Sequence, residues 1–176
     1  MFANIFIFLT FVWYYFQMNN FEHVDGYYLK KKVRAIVTNE AMQHLLVRPH
    51  GYDNDSWTFI GGGVETGETD IEALRRELKE EASIDYIQTI RKAKFVNWFT
   101  FSDEFKAKKN FDYDGQFASY FHVTIPNDTI IKIQEDEVAD FCWCDQDSIL
   151  NFIKVPKHAE IFQQLAKEFN FQGQAI

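Results

Sequence analysis

The chain has 176 residues, of which 47% are hydrophobic, so it can bury the core of one domain and is short for two. Its 26 acidic residues outnumber its 18 lysines and arginines, and the net charge at pH 7 is −8. This composition excludes a disordered tail protein, and it argues against a protein that holds nucleic acid by neutralising many phosphates.

Residues 1–21 form an N-terminal extension with a composition of its own. It carries no charged residue but contains nine of the aromatic residues of the chain. As a helix, its apolar part, residues 1–16, would be about 24 Å long, shorter than the ~30 Å hydrocarbon core of a bilayer. Three interpretations stay open: a dispensable segment before a start at Met18, a packed segment or interface, and membrane contact through residues 1–16.

Residues 22–176 are predicted to form one α/β domain, since they contain no low-complexity stretch, no linker and no fixed repeat. Apolar and alternating runs predict strands, in chain order, at 33–37, 44–48, 56–60, 94–101, 116–125 and 138–144. One helix is predicted to begin near Asp70 and another to cover 156–169. The polar stretch 102–115 is predicted to be a loop, and its length suggests a functional role.

The two cysteines, Cys142 and Cys144, are too few for a disulfide framework. Two positions apart in a strand, they point to the same face with little reach for a bridge. They are interpreted as ordinary thiols in a reducing compartment, so a cytoplasmic location is expected.

The helix near residue 70 has a clear start and a predicted buried side. Thr69, followed three residues later by Glu72, forms a capping box, which places the helix start at Asp70. At about 100° per residue, an apolar stripe is expected to face the core. The stripe consists of Ile71, Leu74, Leu78 and Ala82.

Three glutamates, Glu77, Glu80 and Glu81, lie in the sector beside that stripe. Their spacings of three and four residues make them repel one another, more strongly near a core, so either a cation binds or one carboxyl has a raised pKa. Hard carboxylate ligands select Mg²⁺ or Mn²⁺ over zinc, and Mg²⁺ commonly recruits substrate phosphates. An acidic, solvated helix face is the alternative interpretation.

The spacing around the glutamates is more specific than the glutamates alone. Gly62 is followed after five residues by Glu68, after seven more by Arg76-Glu77-Leu78-Lys79-Glu80-Glu81, and then by Ile84. This pattern resembles the signature of the Nudix hydrolases. The one defined position that departs is Ser83, where the family has glycine.

The resemblance covers residues 32–169 and implies the Nudix fold, an α+β arrangement in which a mixed β-sheet is sandwiched between α-helices. It implies hydrolysis of a pyrophosphate bond in a nucleoside diphosphate linked to another group X, such as a nucleoside triphosphate, a nucleotide sugar or a dinucleoside polyphosphate. It further implies that Glu77, Glu80, Glu81 and the Gly62 carbonyl hold Mg²⁺, or Mn²⁺, and that Arg76 and Glu68 orient the glutamates.

A general base is also needed, and it could be a glutamate of the signature or a residue of a later loop. Residues 135–147 contain six acidic residues and no basic one. Glu137, six residues before Trp143, is the favoured candidate because a glutamate often stands there in related enzymes. Glu135 is an alternative, and a solvated turn is the non-catalytic interpretation of this segment.

Ser83 puts the end of the helix in question. A glycine there normally adopts the left-handed conformation, which costs another residue about 1 kcal/mol. Metal binding is expected to survive, because all three predicted ligands precede Ser83.

A polyphosphate approaching this acidic site needs basic residues at the mouth. The leading candidates are Arg34 and Arg48 on early strands and Lys106 in the polar loop, with Arg91, Lys92, Lys94, Lys108 and Lys109 as further ones. For stacking on a nucleobase the candidates are Trp98, Phe99, Phe101, Phe111 and Tyr113. Each also has an ordinary interpretation as surface charge or core aromatic.

The sequence therefore predicts a Mg²⁺-dependent pyrophosphohydrolase with a nucleotide-type substrate and no stable nucleic-acid binding. A homodimer is compatible with it. The alternative is a Nudix-fold nucleotide-binding or regulatory module without turnover, against which the complete set of three glutamates argues.

Overall fold

The computed structural model describes residues 20–51 and 56–171, in which six strands and four helices occur. The predictions for residues 1–19 lie outside the described residues, and Phe21 is the first residue of a strand. The strands are β1 (Phe21–Val24), β2 (Tyr27–Asn39), β3 (Gln43–Pro49), β4 (Thr89–Thr100), β5 (Gly115–Ile125) and β6 (Val138–Asp145). The helices are α1 (Asp70–Ala82), α2 (Asp103–Lys109), α3 (Ile149–Phe152) and α4 (Pro156–Phe169).

The six strands form one mixed sheet in the order β4-β5-β2-β3-β6, and β1 pairs with the first residues of β2. β2 and β5 are parallel over residues 29–39 and 115–125, and the other neighbours are antiparallel. The long β2 is therefore the central strand, and it carries residues to both faces of the sheet.

A short segment separates β2 from β3 along most of their length. β2 and β3 pair directly only around Val37 and Thr38, and residues 58–63 enter between them. The Ala35 N–H donates to the Ile60 carbonyl at 2.8 Å, and the Val33 N–H donates to the Gly62 carbonyl at 3.0 Å. The predicted strand at 56–60 is thus a pair of isolated bridges rather than a regular strand, and it inserts the glycine run into the centre of the sheet.

Helices cover both faces of the sheet, which confirms the predicted sandwich. On one face Val33 and Val37 of β2 pack with Leu74 and Leu78 of α1. On the other face a second core forms around α4, with members from the sheet, from α3 and from residues after α4. The second core includes Ile36, Leu46, Phe59, Tyr120, Phe162 and Leu165. This division follows from the alternation of side chains along β2.

The buried side of α1 differs from the predicted stripe at one position. Leu74, Leu78 and Ala82 are buried as predicted, but Ile71 is 39% exposed, so that part of the prediction is wrong. Ile71 has the expected angular position, but it lies in the first turn, where the helix borders an open pocket rather than the core. Glu77 is buried with the apolar residues, deeper than the predicted edge position.

Some of the remaining helices and strands have the predicted bounds, and others do not. α4 has the predicted bounds, and Pro156 stands at its start, where proline needs no N–H partner. β4 begins at Thr89, five residues earlier than predicted. The predicted loop 102–115 contains α2, capped by the Ser102 hydroxyl. In the part of the chain that the structure describes, no helix is both long and apolar enough to cross a bilayer.

Candidate active site

The glycine run lies against α1 so closely that side chains would not fit. A Cβ on Gly62 would overlap the carboxylate of Glu77. A Cβ on Gly61 would overlap the Val33 carbonyl, and the φ of Gly61 is +140°. Glycine at these positions therefore brings backbone groups next to the carboxylates of the helix.

Arg76 connects the glutamates to one another and to the glycine run. Its Nε and Nη2 donate to the two carboxylate oxygens of Glu68 at 2.7 and 2.9 Å. Its Nη1 donates to Glu77 at 2.8 Å and to Glu80 at 3.1 Å, and its Nη2 also donates to the Gly63 carbonyl at 2.8 Å. The guanidinium has five N–H groups and makes five hydrogen bonds, so each of its donors has an acceptor.

This arrangement fits the orienting role that the resemblance implies for Arg76 and Glu68. The hydrogen bond from Arg76 is the main cause that lowers the pKa of Glu68. Conversely, the hydrogen bond to Glu68 is the main cause that raises the pKa of Arg76 above its usual range, and bonds to Glu77 and Glu80 add to it. The guanidinium is held in one orientation by a bidentate pair, which lysine could not provide.

Glu81 and Glu77 are carboxyls whose surroundings disfavour their charge. Burial raises the pKa of Glu81 to about 7, although the Gly61 N–H, at 3.2 Å, and the charge of Arg34 partly offset the effect. Burial likewise raises the pKa of Glu77, with Arg76 opposing it. A buried and a partly buried carboxyl that repel each other beside a polar backbone are what a divalent cation would stabilise.

The three glutamates do not converge on a single point in this structure. Among residues 20–51 and 56–171, no three His, Cys, Asp or Glu side chains are arranged as a metal site. Arg76 holds Glu77 and Glu80, and Glu81 binds the Gly61 N–H. The donor set, which consists only of carboxylate and carbonyl oxygens, is chemically suited to Mg²⁺ or Mn²⁺, and the half-exposed Glu80 can turn without repacking the core.

The second acidic segment approaches the site along the C-terminal end of α1. The Lys132 N–H donates to the Ala82 carbonyl at 3.2 Å, and the Gln134 N–H donates to the Glu81 carbonyl at 3.3 Å. Glu137 lies close enough for its charge to add to the raised pKa of Glu81. The structure therefore brings Glu137 into the neighbourhood of the signature glutamates.

Glu135 and Glu137 are attached to β3 through a histidine. The His50 N–H donates to the Glu137 carbonyl at 3.0 Å, and His50 Nε2 lies 2.8 Å from the Glu135 carbonyl. These backbone contacts hold the segment and leave both carboxylates exposed to solvent.

Ser83 ends α1 in the left-handed conformation that the family places on glycine. Its φ is 55°, and its N–H bonds the carbonyls of Leu78 and Lys79. The Ser83 hydroxyl donates to the Lys132 carbonyl at 3.0 Å, a bond that glycine could not make. This bond offsets part of the backbone strain and ties α1 to the segment that carries Glu137.

A cleft of about 700 Å³ opens beside the glycine run on the face of the sheet that α4 covers. Its floor is made by β2, β5 and β4, and α2 and the start of α4 form its sides. Basic and aromatic groups dominate its lining: Lys32, Arg34, Lys157, Phe99, Phe101 and Phe105. The cleft therefore offers cations near the glutamates and rings farther away.

Of the predicted substrate-binding residues, Arg34, Phe99 and Phe101 line this cleft, and Arg34 also donates to the Gly61 carbonyl. Arg48 lies 3.7 Å from Asp140 and over the ring of Trp57. Lys106 is paired with Asp103 and Asp114, at 3.2 and 3.1 Å. The Trp98 ring is near Tyr27, 6.3 Å between centroids, and the residue is not part of the cleft lining.

The sequence interpretation missed Lys32 and Asn97, which both line the cleft. Lys32 is two positions before Arg34, so the alternation of β2 puts both on one face. Asn97 is likewise two positions before Phe99 in β4. This pattern was visible in the sequence, but the bulge between Lys92 and Val96 hides which face each residue takes.

Comparisons with known proteins agree with the signature and the fold. A family model described as NUDIX domain matches residues 29–165. The chain is 35% identical over 123 residues to an RNA pyrophosphohydrolase of Nitratiruptor sp., an alignment that covers 66% of this chain and 78% of that protein.

Two solved structures share the fold at low sequence identity. The E. coli dihydroneopterin triphosphate pyrophosphohydrolase has a TM-score of 0.64 and 21% identity, covering 80% of this chain and 95% of that one. A C. elegans Ap4A hydrolase, in a binary complex, has a TM-score of 0.59 and 17% identity, covering 78% and 95%. With the signature, the glutamate geometry and these matches in agreement, the chain belongs to the Nudix hydrolase family.

Proposed function

We propose that this protein is a divalent-metal-dependent pyrophosphohydrolase that acts on a nucleotide 5′-polyphosphate, with the 5′-triphosphorylated end of RNA as its leading substrate. The observation that carries the activity is the position of Glu77, Glu80 and Glu81 beside the glycine run, whose Gly61 carbonyl is bonded by Arg34 from the lining of the cleft. The name of the 35% identical relative supports the choice of RNA.

Glu77, Glu80, Glu81 and the Gly62 carbonyl would hold the cation, Mg²⁺ or Mn²⁺. When bound, the cation supplies positive charge to the phosphate oxygens and makes water easier to deprotonate. Arg76 keeps Glu77 and Glu80 in place through its bonds to Glu68 and Gly63. Lys32 and Arg34 neutralise the part of the polyphosphate that lies in the cleft.

Glu137 is the proposed general base. Water attacks one phosphorus of the pyrophosphate bond, its proton passes to the Glu137 carboxylate, and the P–O bond to the leaving phosphate group breaks. Glu137 is exposed at the edge of the site and lies near Glu81 without an ion pair among the described residues. Glu135, whose carbonyl rather than carboxylate is bonded to His50, is the alternative base.

An acidic protein can act on RNA without binding it stably along its length. A 5′-end enzyme needs cations only around the terminal phosphates, and the cleft supplies them at Lys32, Arg34 and Lys157. The open side of the cleft leaves room for the rest of a chain to continue into solvent. The net charge of −8 is therefore compatible with this substrate.

The test is a product assay on the full chain with Mg²⁺ or Mn²⁺. The substrates are a 5′-triphosphorylated oligoribonucleotide, dinucleoside polyphosphates, nucleoside triphosphates, nucleotide sugars and ADP-ribose. We expect metal-dependent release of phosphate or pyrophosphate, fastest from the RNA and leaving a 5′-monophosphate. Faster turnover of another compound would reassign the substrate, and binding without turnover of any would support a regulatory module.

A further inference from the structure

The floor of the cleft contains a row of three side chains that crosses three adjacent strands. Lys32 of β2 is paired with Ala118 of β5, and Ala118 is paired with Asn97 of β4. All three residues line the cleft. Because neighbouring strands are about 4.8 Å apart, the row places the backbones of Lys32 and Asn97 roughly 10 Å from each other.

The two ends of this row carry polar groups with no hydrogen bond to the described part of the protein, although the charge of Lys32 lies near those of Glu77 and Glu81. Over residues 20–51 and 56–171, neither the Lys32 ammonium nor the Asn97 amide forms a hydrogen bond or an ion pair with another side chain or with the backbone. Both side chains are partly buried. Their polar atoms therefore face the cleft without an internal hydrogen bond and are available to a ligand that binds there.

The surface is recessed at Ala118, in the middle of the row, and beside Asn97 it presents the apolar ring of Phe99. Ala118 has the smallest side chain on this face of β5, between Gln116 and Tyr120, so it leaves a depression in the floor. Phe99, two positions after Asn97 on the same face, is 46% exposed at the edge of the sheet. An exposed ring beside a free amide suits a planar heterocycle, which can stack and hydrogen-bond at once.

We propose that the row holds the nucleoside of the substrate, with phosphate at Lys32, ribose over Ala118 and the nucleobase beside Asn97, stacked on Phe99. This inference rests on the proposed function for the identity of the ligand as a nucleotide. The phosphate end of the row is also the end nearest the glutamates, since β2 borders the glycine run and β4 is the outer strand.

The amide of Asn97 makes the inference specific. An amide presents one donor group and one acceptor, the pattern that pairs with N7 and the 6-amino group of adenine. Asn97 is therefore a specificity-determining residue that favours adenine at the first position of the substrate. An aspartate there would present acceptors only and would suit the 4-amino group of cytosine.

The test compares four 5′-triphosphorylated oligoribonucleotides that differ only in their first base. For the full-length wild type we expect kcat/KM for adenine about tenfold above that for the pyrimidines. Asn97→Asp should lower the adenine value about tenfold, mainly through KM, and raise the cytosine value relative to it. Phe99→Ala should raise KM about tenfold for every base, and Phe99→Trp should restore it.

Two further variants distinguish changes inside the cleft from changes on the other face of the sheet. Ala118→Leu fills the depression, and we expect it to raise KM for all four substrates. Val96→Ala is the matched control, because Val96 precedes Asn97 but lines the pocket on the other face of the sheet. It should leave KM and the base preference within about twofold of wild type.

Equilibrium binding of a non-hydrolysable adenosine triphosphate analogue distinguishes this inference from the proposed function. If the wild type binds the analogue and Asn97→Asp and Ala118→Leu weaken that binding, the inference stands even if no substrate is hydrolysed. If the wild type hydrolyses nucleotides but Asn97→Asp, Phe99→Ala and Ala118→Leu change neither KM nor base preference, the inference is overturned. Failure of the wild type to bind the analogue would also overturn it.

Discussion

Gly62 and Glu77 are packed so closely that a Cβ on the glycine would overlap the glutamate carboxylate. Glu77 cannot retreat easily, since Arg76 holds its Oε1 at 2.8 Å and the residue is only 7% exposed. The glycine and the first glutamate of the signature are therefore one structural unit, although fifteen positions separate them.

Gly62→Ala should impair metal binding more than folding. The added methyl group displaces the Glu77 carboxylate, and loss of orientation at a metal ligand commonly costs about 10- to 100-fold in metal affinity. The measurement is the Mg²⁺ concentration that gives half-maximal activity. Gly63→Ala is the control, because a Cβ there meets its nearest neighbours at 3.6 Å and should be tolerated.

Arg76→Lys should lower both stability and activity. Lysine replaces five directed N–H groups with one ammonium, so the buried Glu77 and the Gly63 carbonyl lose hydrogen bonds. We expect a loss of about 2 kcal/mol in the free energy of unfolding, measured by urea denaturation. The exposed neighbour Arg75→Lys should stay within about 0.5 kcal/mol of wild type, and an equal effect of both would contradict the role given to Arg76.

Mg²⁺ should stabilise the metal-free protein through the three glutamates. At a concentration about 100-fold above its Kd, a ligand that binds only the folded state adds about 2.7 kcal/mol to the free energy of unfolding. Thermal unfolding with EDTA and with Mg²⁺ measures the effect. Glu81→Gln should reduce the Mg²⁺-induced rise in Tm, whereas the exposed Glu104→Gln in α2 should not.

Glu137→Gln should lower kcat by about 100-fold or more while KM changes little, because it removes the proposed proton acceptor and not a phosphate contact. Steady-state kinetics on the best substrate measures the effect. Glu135→Gln is the matched variant in the same segment, and a larger loss of kcat there would transfer the role to Glu135.

A buried histidine should make the fold sensitive to acid. His44 is fully buried, contacts the rings of Phe162 and Phe171, and neither ring nitrogen has a partner within the described part of the chain. Burial, with a contribution from His122, lowers the pKa of His44 from 6.5 to about 4. Between about pH 4 and 6.5 the His44 ring is therefore neutral in the folded state and protonated in the unfolded chain.

The sign of the effect follows from that lowered pKa. Above pH 6.5 His44 is neutral in both the folded and the unfolded state, and the protein has its full stability with respect to this residue. As pH falls from 6.5 towards 4, the unfolded chain takes up a proton at His44 before the folded protein does, so the free energy of unfolding decreases. The loss is about 3 kcal/mol at most. His44→Leu should flatten the dependence of the unfolding free energy on pH in this range, measured by denaturation at a series of pH values.

The parts of the site that depend on neighbours in sequence could be predicted. The capping box of Thr69 and Glu72 forms as expected, with the Thr69 hydroxyl accepting from the Glu72 N–H. The ion pair of Arg76 with Glu68 follows from their places around one helix start. Ser83 takes the left-handed conformation because the helix must end there, whatever the residue.

The substrate cleft could not be predicted, because it depends on how distant strands pair. Nothing in the sequence fixes that Lys32 aligns with Ala118 and Ala118 with Asn97. The irregular pairing after Lys92 also sets which of Trp98 and Phe99 lines the cleft. A one-residue change of register exchanges the two faces of a strand, so composition alone could not choose between these rings.

The most direct test of the account is the dependence of turnover on Mg²⁺ concentration, measured with the preferred substrate for wild type, Glu80→Gln and Glu81→Gln. The account predicts saturable activation in wild type, no turnover in EDTA, and a loss of at least about 100-fold in each variant. Turnover that persists in EDTA, or that is unchanged in both variants, would contradict it.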